Sequence, residues 1–178
     1  MSDADAQALV AALRERGQTL ASAESLTAGL FAATVADVPG ASVVLRGGLI
    51  VYATDLKATL AGVPPDVLTR CGPVHPETAA ALAEGARRRC VADWGVGLTG
   101  VAGPTEQDGV PVGTVYLGIS GQSGTAVTPL RFDGDRAAIR RGAVGAALRE
   151  LTRRVTTGAR RTQPKSASAE MHPQQGDS

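Results

Sequence analysis

Aromatic residues are scarce in this chain: Phe, Trp and Tyr make up 3% of its 178 residues. A core must therefore be built mainly from Ala, Val and Leu, and the 22 glycines indicate tight turns and close backbone approaches. The formal net charge of +1 gives no basic excess of the kind that nucleic-acid binding requires. We therefore predict a domain over residues 1–157 that does not bind nucleic acid.

Cysteine is also rare. Cys71 and Cys90 are far apart, and neither lies in a Cys-x-x-Cys motif or a Cys/His ligand cluster, so we expect no metal, redox centre or other cofactor. The acidic start lacks the pattern of a secretory signal, and no apolar run approaches the roughly 18 residues of a membrane span. A cytoplasmic protein without membrane contact is predicted.

Helical and strand patterns intersperse along the chain. Helices are predicted over residues 4–16, from Leu30 to before Pro39, and over 55–61, 76–90 and 135 onward. Strands are predicted over 19–23, 42–53 with a bulge at Gly47-Gly48, 94–101, 112–119 and 125–132, the last two forming an antiparallel hairpin. These elements predict an α/β fold, a three-layer α/β/α arrangement around a mixed parallel and antiparallel central sheet.

The last residues have a different composition. From Gly158 onward Pro, Ser, Gln, Arg and Lys dominate, and no apolar periodicity is present. Such a segment buries too little apolar surface to offset its loss of conformational entropy. We therefore predict a disordered tail over residues 158–178.

Ser25 lies where an apolar strand passes into a helix, in the segment Ala-Glu-Ser-Leu-Thr. A helix N-terminus favours developing negative charge, so this hydroxyl is a candidate nucleophile. Capping of the helix by Ser25 or Thr27 explains the same residues. A second segment, which ends at Lys57, 32 residues after Ser25, favours the interpretation of Ser25 as a nucleophile.

Tyr52 and Lys57 make up that second segment, at the end of the next predicted strand. A lysine acts as a base only when burial or positive neighbours lower the pKa of its ammonium group. An ordinary solvated lysine on a short helix is the alternative. However, Lys165 in the tail is the only other lysine in the chain, which hints that position 57 needs an amine that can lose its proton.

Two further segments are candidates for ligand contacts. Thr99 to Pro104 follows a strand, where Gly100, Ala102 and Gly103 could present N–H groups to a ligand or oxyanion, although a plain Gly/Pro turn explains them equally well. Arg136 and Arg140 begin the last helix and could bind phosphate or form ion pairs with nearby carboxylates. His75 is interpreted as a helix cap, and the absence of another histidine before the tail argues against a Ser-His-Asp triad.

Four segments, taken in order, resemble the CinA C-terminal domain family, which includes nicotinamide-nucleotide amidases. They are residues 23–29, Tyr52 with Lys57, residues 99–104 and residues 111–116. The resemblance covers residues 5 to 155. It implies hydrolysis of the carboxamide of nicotinamide mononucleotide to nicotinate mononucleotide and ammonia, without a cofactor.

The same resemblance implies roles for individual residues. Ser25 matches the nucleophile, Lys57 its base, and Tyr52 a residue that orients or relays the proton. The substrate and oxyanion region corresponds to Thr99 and its glycine-rich neighbours, with Thr27 beside the nucleophile, and Arg136 or Arg140 would hold the phosphate. A homodimer is expected on general frequency alone.

The chain departs from the family pattern at three places. Leu26 and Ala28 stand where typical members have Cys and Gly, and the methyl group of Ala28 is expected to narrow the site. Residues 105–109 replace a glycine run and bring the carboxylates of Glu106 and Asp108 near the predicted pocket. These departures leave open a second interpretation, a noncatalytic nucleotide-binding or regulatory module of the same fold.

Overall fold

The computed structural model describes residues 3–158. Its helices are α1 Asp3–Glu15, α2 Leu30–Ala36, α3 Thr54–Thr59, α4 Pro65–Cys71, α5 Pro76–Arg89 and α6 Arg136–Gly158. Its strands are β1 Leu20–Glu24, β2 Leu45–Ile50, β3 Trp94–Gly100, β4 Thr114–Gly121 and β5 Gly124–Arg131. Apart from Gly158, the predicted tail lies outside the described residues.

The five strands form one mixed sheet in the order β2-β1-β3-β4-β5. β1 lies between β2 and β3 and is parallel to both, so the carboxyl ends of these three strands meet at one edge. β4 runs antiparallel to β3, and β4 and β5 form the predicted antiparallel hairpin. The prediction of a mixed sheet is confirmed.

Helices cover both faces of the sheet. On one face α1, α2 and α6 enclose a core of aliphatic side chains that also includes the buried Phe31. On the other face Leu82 and Ala86 of α5 pack against Ala21, Ala23 and Val51. The predicted three-layer α/β/α arrangement is therefore confirmed, and the core is built from small aliphatic residues because so few aromatics are available.

Small residues in the strands bring α5 close to the sheet. A Cβ atom on Gly97 would lie 2.4 Å from the carbonyl oxygen of Ala79, and one on Gly118 would lie 2.2 Å from the same oxygen. Both distances are shorter than any real contact. Glycine at these positions therefore sets the spacing between α5 and strands β3 and β4.

The strand predicted over residues 42–53 is shorter than expected. Ala41–Val43 form a 3-10 turn, closed by a hydrogen bond from the Val44 N–H to the Ala41 carbonyl, and β2 begins only at Leu45. The predicted irregularity is present, since the register between β1 and β2 shifts where Ala21 pairs with Gly47. After Pro64 the chain forms the helix α4, which is not among the predicted helices; Pro65 lies in its first turn, a position that suits proline.

No helix within residues 3–158 combines the length and apolar character needed to cross a membrane.

Candidate active site

The predicted site residues meet at the edge where the three parallel strands end. Ser25 follows β1, Lys57 lies on α3 after β2, and Val101 to Gly103 follow β3. A cavity of about 320 Å³ opens there and is lined by all three segments. Ligands commonly bind at this edge of open α/β sheets.

Neighbouring strands hold the backbone of Ser25. Its N–H donates to the carbonyl of Leu98 at 2.9 Å, which extends the pairing of β1 with β3 by one residue. The N–H of Val51 likewise donates to the carbonyl of Glu24 at 2.9 Å and extends the pairing with β2. The backbone of Ser25 is thereby fixed at the edge of the sheet, and its side chain lines the cavity with the residue 9% exposed.

Lys57 is buried against Ser25. Its Nζ atom lies 3.0 Å from Ser25 Oγ and donates to the carbonyls of Val51 at 2.9 Å and Tyr52 at 3.3 Å. A neutral amine has two N–H donors and one lone pair. The two carbonyls account for both donors, which leaves the lone pair to accept from the hydroxyl.

Burial changes the titration of this lysine. The side chain of Lys57 is 1% exposed, and desolvation lowers its pKa to about 8, although Asp55 opposes the shift by attracting the charged form. No carboxylate among the described residues hydrogen-bonds to its Nζ atom. The alternative interpretation of Lys57 as a solvated lysine is wrong.

Three amide groups beside Ser25 are candidates for stabilising an oxyanion. Within residues 3–158 the N–H groups of Leu26, Ala102 and Gly103 have no hydrogen-bond acceptor, and all three residues line the cavity. The N–H of Ser25 itself is occupied by Leu98. Donors for a negative oxygen would therefore come from the residue after the serine and from the loop after β3.

Arg136 lies at the mouth of the cavity and is exposed. Its guanidinium group donates to the carbonyl of Gly103 at 2.8 Å and to the hydroxyl of Tyr52. Tyr52 is 54% exposed, and only its carbonyl contacts Lys57. The predicted contact of the Tyr52 hydroxyl with the reacting pair is therefore absent in this arrangement, since that hydroxyl is held by Arg136.

The structure places three predicted site residues outside the cavity lining. Thr99 is fully buried, and its hydroxyl donates to the carbonyl of Pro73 at 2.6 Å. Thr27 is also fully buried, and its Oγ1 atom has no hydrogen-bond partner among the described residues. Arg140 donates to the carbonyls of Leu26 at 3.0 Å and Thr27 at 2.8 Å, and it forms no ion pair with a carboxylate of the described residues. Gly100, by contrast, lines the cavity.

Glu24 is the residue at this site that the sequence reasoning missed. Its buried carboxylate accepts from the N–H groups of Gly29, Phe31 and Ala32 and from the hydroxyl of Ser22. It therefore caps α2, and the alternative interpretation, in which Ser25 or Thr27 caps this helix, is wrong. The signal was a carboxylate next to the candidate nucleophile, at the end of a strand predicted to be buried.

The departures from the family pattern have unequal effects. Leu26 lines the cavity and is 3% exposed, so it fills part of the wall. Ala28 is exposed and lies outside the lining, so its methyl group does not narrow the site. Of the two acidic residues, Glu106 lines the cavity and Asp108 does not.

A group of possible metal ligands lies next to the cavity wall. Donor atoms of Cys71, His75 and Glu77 are within 4.8 Å of one another, a Cys/His arrangement that the sequence reasoning did not expect. The guanidinium of Arg70 donates to both carboxylate oxygens of Glu77 and to the Cys71 sulfur, so a cation already occupies this group. His75 caps α5 as predicted, accepting from the Glu77 N–H.

Comparisons with known proteins agree with this architecture. The model of the CinA C-terminal domain matches residues 3–155. Among solved structures, competence/damage inducible protein CihA from Agrobacterium tumefaciens superposes with a TM-score of 0.81 at 32% identity, covering 86% of this chain and 94% of that one. A CinA superfamily protein from Klebsiella pneumoniae gives a TM-score of 0.84 at 25% identity, covering 87% and 98%.

Curated relatives are more similar in sequence but longer. A CinA-like protein from Frankia casuarinae is 48% identical over 146 residues, which are 82% of this chain and 34% of that protein. A putative competence-damage inducible protein from Desulforamulus reducens is 47% identical over 137 residues, 77% of this chain and 33% of that protein. The chain thus spans about a third of the length of these relatives. By the family match and these identities, the chain belongs to the CinA C-terminal domain family.

Proposed function

We propose that this chain is an amidohydrolase that converts nicotinamide mononucleotide to nicotinate mononucleotide and ammonia. The observation that carries the proposal is the hydrogen bond between Ser25 Oγ and a buried Lys57 whose pKa is about 8, at the floor of a cavity. A serine beside a lysine that can lose its proton is a nucleophile with its base. The motif resemblance supports the choice of substrate.

In the first half of the reaction, neutral Lys57 accepts the hydroxyl proton while Ser25 Oγ attacks the carboxamide carbon. The amide N–H groups of Leu26, Ala102 and Gly103 are placed to stabilise the resulting oxyanion. Lys57 then passes its proton to the amide nitrogen, the C–N bond breaks and ammonia leaves. An ester between Ser25 and the nicotinoyl group remains.

In the second half, water attacks the ester carbon and gives up a proton to Lys57. The C–O bond to Ser25 then breaks, and the proton returns to the serine oxygen. Nicotinate mononucleotide leaves, and the hydroxyl and the neutral amine are restored. Lys57 acts directly on Ser25 in both halves, because its Nζ atom lies 3.0 Å from Ser25 Oγ.

The phosphate of the substrate is assigned to Arg136. This guanidinium is exposed at the cavity mouth and makes two hydrogen bonds to neutral oxygens, which a phosphate can replace. The carboxylate of Glu106 on the same wall lowers the attraction for an anion. We therefore assign phosphate binding to Arg136 alone, opposed in part by Glu106.

The test is ammonia release from nicotinamide mononucleotide by the purified chain. Ser25→Ala and Lys57→Ala should each lower the rate by about 10³-fold or more, because nucleophile and base act as one unit. Ser42→Ala, which changes an exposed serine on the 3-10 turn before β2, is the matched control and should keep the wild-type rate.

The outcomes separate the enzyme from a binding module. Ammonia release that both site variants abolish supports the proposal. Binding of the nucleotide without ammonia release by the wild type would favour the noncatalytic module. Full activity in Ser25→Ala would refute the mechanism.

A further inference from the structure

Residues 25–29 form the turn that carries the candidate nucleophile from β1 into α2. The backbone after Ser25 leaves the sheet at once, and Leu26 and Thr27 belong to no helix or strand. Gly29, at the N-cap position of α2, supplies no capping side chain. Within the turn, the N–H of Ala28 donates to the Ser25 carbonyl and the N–H of Leu30 to the Thr27 carbonyl, and side chains outside residues 25–29 supply further hydrogen bonds.

The carboxylate of Glu24 binds backbone N–H groups at the end of the turn and the start of α2. It accepts from the N–H groups of Gly29 at 3.0 Å, Phe31 at 3.0 Å and Ala32 at 2.9 Å, and from Ser22 Oγ at 3.0 Å. The side chain is 1% exposed, so these bonds are shielded from water. The residue before Ser25 thus binds the backbone that follows it.

The guanidinium group of Arg140 binds two backbone carbonyls of the same turn. Its Nε atom donates to the carbonyl of Leu26 at 3.0 Å, and a terminal nitrogen donates to the carbonyl of Thr27 at 2.8 Å. Because a peptide group is planar and trans, fixing these carbonyls also fixes the opposed N–H groups of Thr27 and Ala28. The N–H of Ala28 donates to the Ser25 carbonyl at 3.1 Å, so the turn closes on the nucleophile itself.

We infer that Glu24 and Arg140 are positioning residues for this reaction. They act through the turn and make no contact with the substrate. Together they set the direction of Ser25 Oγ and of the Leu26 N–H relative to Lys57. Arg140 thereby has a role distinct from that of Arg136, although both lie in the first turns of α6. The kinetic part of this inference rests on the proposed function.

The kinetic experiment compares nicotinamide mononucleotide with nicotinamide riboside, which lacks the phosphate. Arg140→Ala should lower kcat by at least about tenfold on both substrates by the same factor, with KM nearly unchanged, because a displaced nucleophile slows the chemical step. Arg140→Lys should recover part of the loss. Arg141→Ala, an exposed neighbour on α6, is the control and should keep wild-type kinetics. A rise in KM confined to the mononucleotide would overturn the inference, because it would make Arg140 a phosphate ligand.

Hydrogen exchange tests the same inference without any substrate. Arg140→Ala and Glu24→Gln should speed amide exchange in residues 25–32 and leave α5 unchanged, whereas Arg141→Ala should leave both at wild-type rates. If the wild type releases no ammonia, the proposed function fails, and this measurement still decides the positioning role. Unchanged exchange in residues 25–32 of folded Arg140→Ala would overturn the role of Arg140, and unchanged exchange in folded Glu24→Gln would overturn that of Glu24. If Arg140→Ala does not fold, Arg140→Lys, which keeps the charge, takes its place and should show a smaller increase in exchange; an unchanged rate in that variant would then overturn the role of Arg140.

Discussion

Arg136 and Arg140 have different roles at this site, although their positions in the sequence do not distinguish them. Arg136 and Arg140 are one helical turn apart, so periodicity places both near the same edge of the sheet. Only the packing of α6 against the turn after β1 directs Arg140 to the carbonyls of Leu26 and Thr27 and leaves Arg136 at the cavity mouth. That packing is a tertiary property, so the sequence left both arginines as phosphate candidates.

Arg136→Ala should therefore raise KM for nicotinamide mononucleotide by about tenfold or more, because a charge-assisted hydrogen bond to the phosphate is lost. The value of kcat should change little, since Arg136 makes no contact with Ser25 or Lys57. Steady-state ammonia release measures both constants, and nicotinamide riboside serves as the control substrate. An unchanged KM for the mononucleotide would argue against the assignment.

The burial of Lys57 also has a consequence for stability. The pKa of Lys57 is about 8 in the folded chain and near 10.5 when unfolded, so between these values the unfolded state binds more protons. The free energy of unfolding, taken relative to Lys57→Met, should rise with pH from about 8 to 10.5, by at most about 3 kcal/mol. Below pH 8 the difference should be flat. Urea titrations at several pH values measure it, and a flat difference throughout would contradict this burial.

At the scale of elements, local patterns predicted most of the helices and strands. Three helices form where their sequence signals predict them. These signals are the Ala and Leu spacing of α1, the Pro and Glu at the start of α5 and the Asp before α6. The failures have a common cause. The 3-10 turn at Ala41–Val43 and the helix α4 are short, and a few residues give too little periodicity to separate a short helix from a strand or turn.

The turn between β1 and α2 contains a strained residue. Ala28 has a φ of 49°, a left-handed conformation that glycine adopts without the steric cost of a Cβ atom. Ala28→Gly should raise the free energy of unfolding by about 0.5–1 kcal/mol. Ala33→Gly, at an exposed helical position in α2, should lower it by a similar amount. Thermal unfolding measures both, and the same sign for the two variants would contradict the strain.

At the scale of the whole molecule, topology assembles the site. Since β1, β2 and β3 are parallel neighbours, the residues that follow each strand meet at one edge. The strand predictions placed Ser25, Lys57 and the loop at 101–103 after three different strands, and the parallel order that brings these residues together is a property of the fold. Strand predictions also do not specify side-chain direction, which is why Thr99 was predicted to face the substrate although its hydroxyl binds Pro73.

The expected homodimer stays a prediction. Sedimentation equilibrium of the purified chain should give the mass of two copies at micromolar concentration, as is commonest among soluble oligomers. The mass of a single copy at all concentrations would contradict it. Because the matched region makes up only about a third of these curated relatives, their assemblies and activities as whole proteins are separate questions.

The pH dependence of kcat/KM for ammonia release from nicotinamide mononucleotide tests the reaction of Ser25 with a neutral Lys57 most directly. Between pH 6 and 10 the profile should rise with a midpoint near the Lys57 pKa of about 8, and it should increase about tenfold from pH 7 to 9. A flat profile, a midpoint far from 8 or the absence of ammonia at every pH would contradict the account.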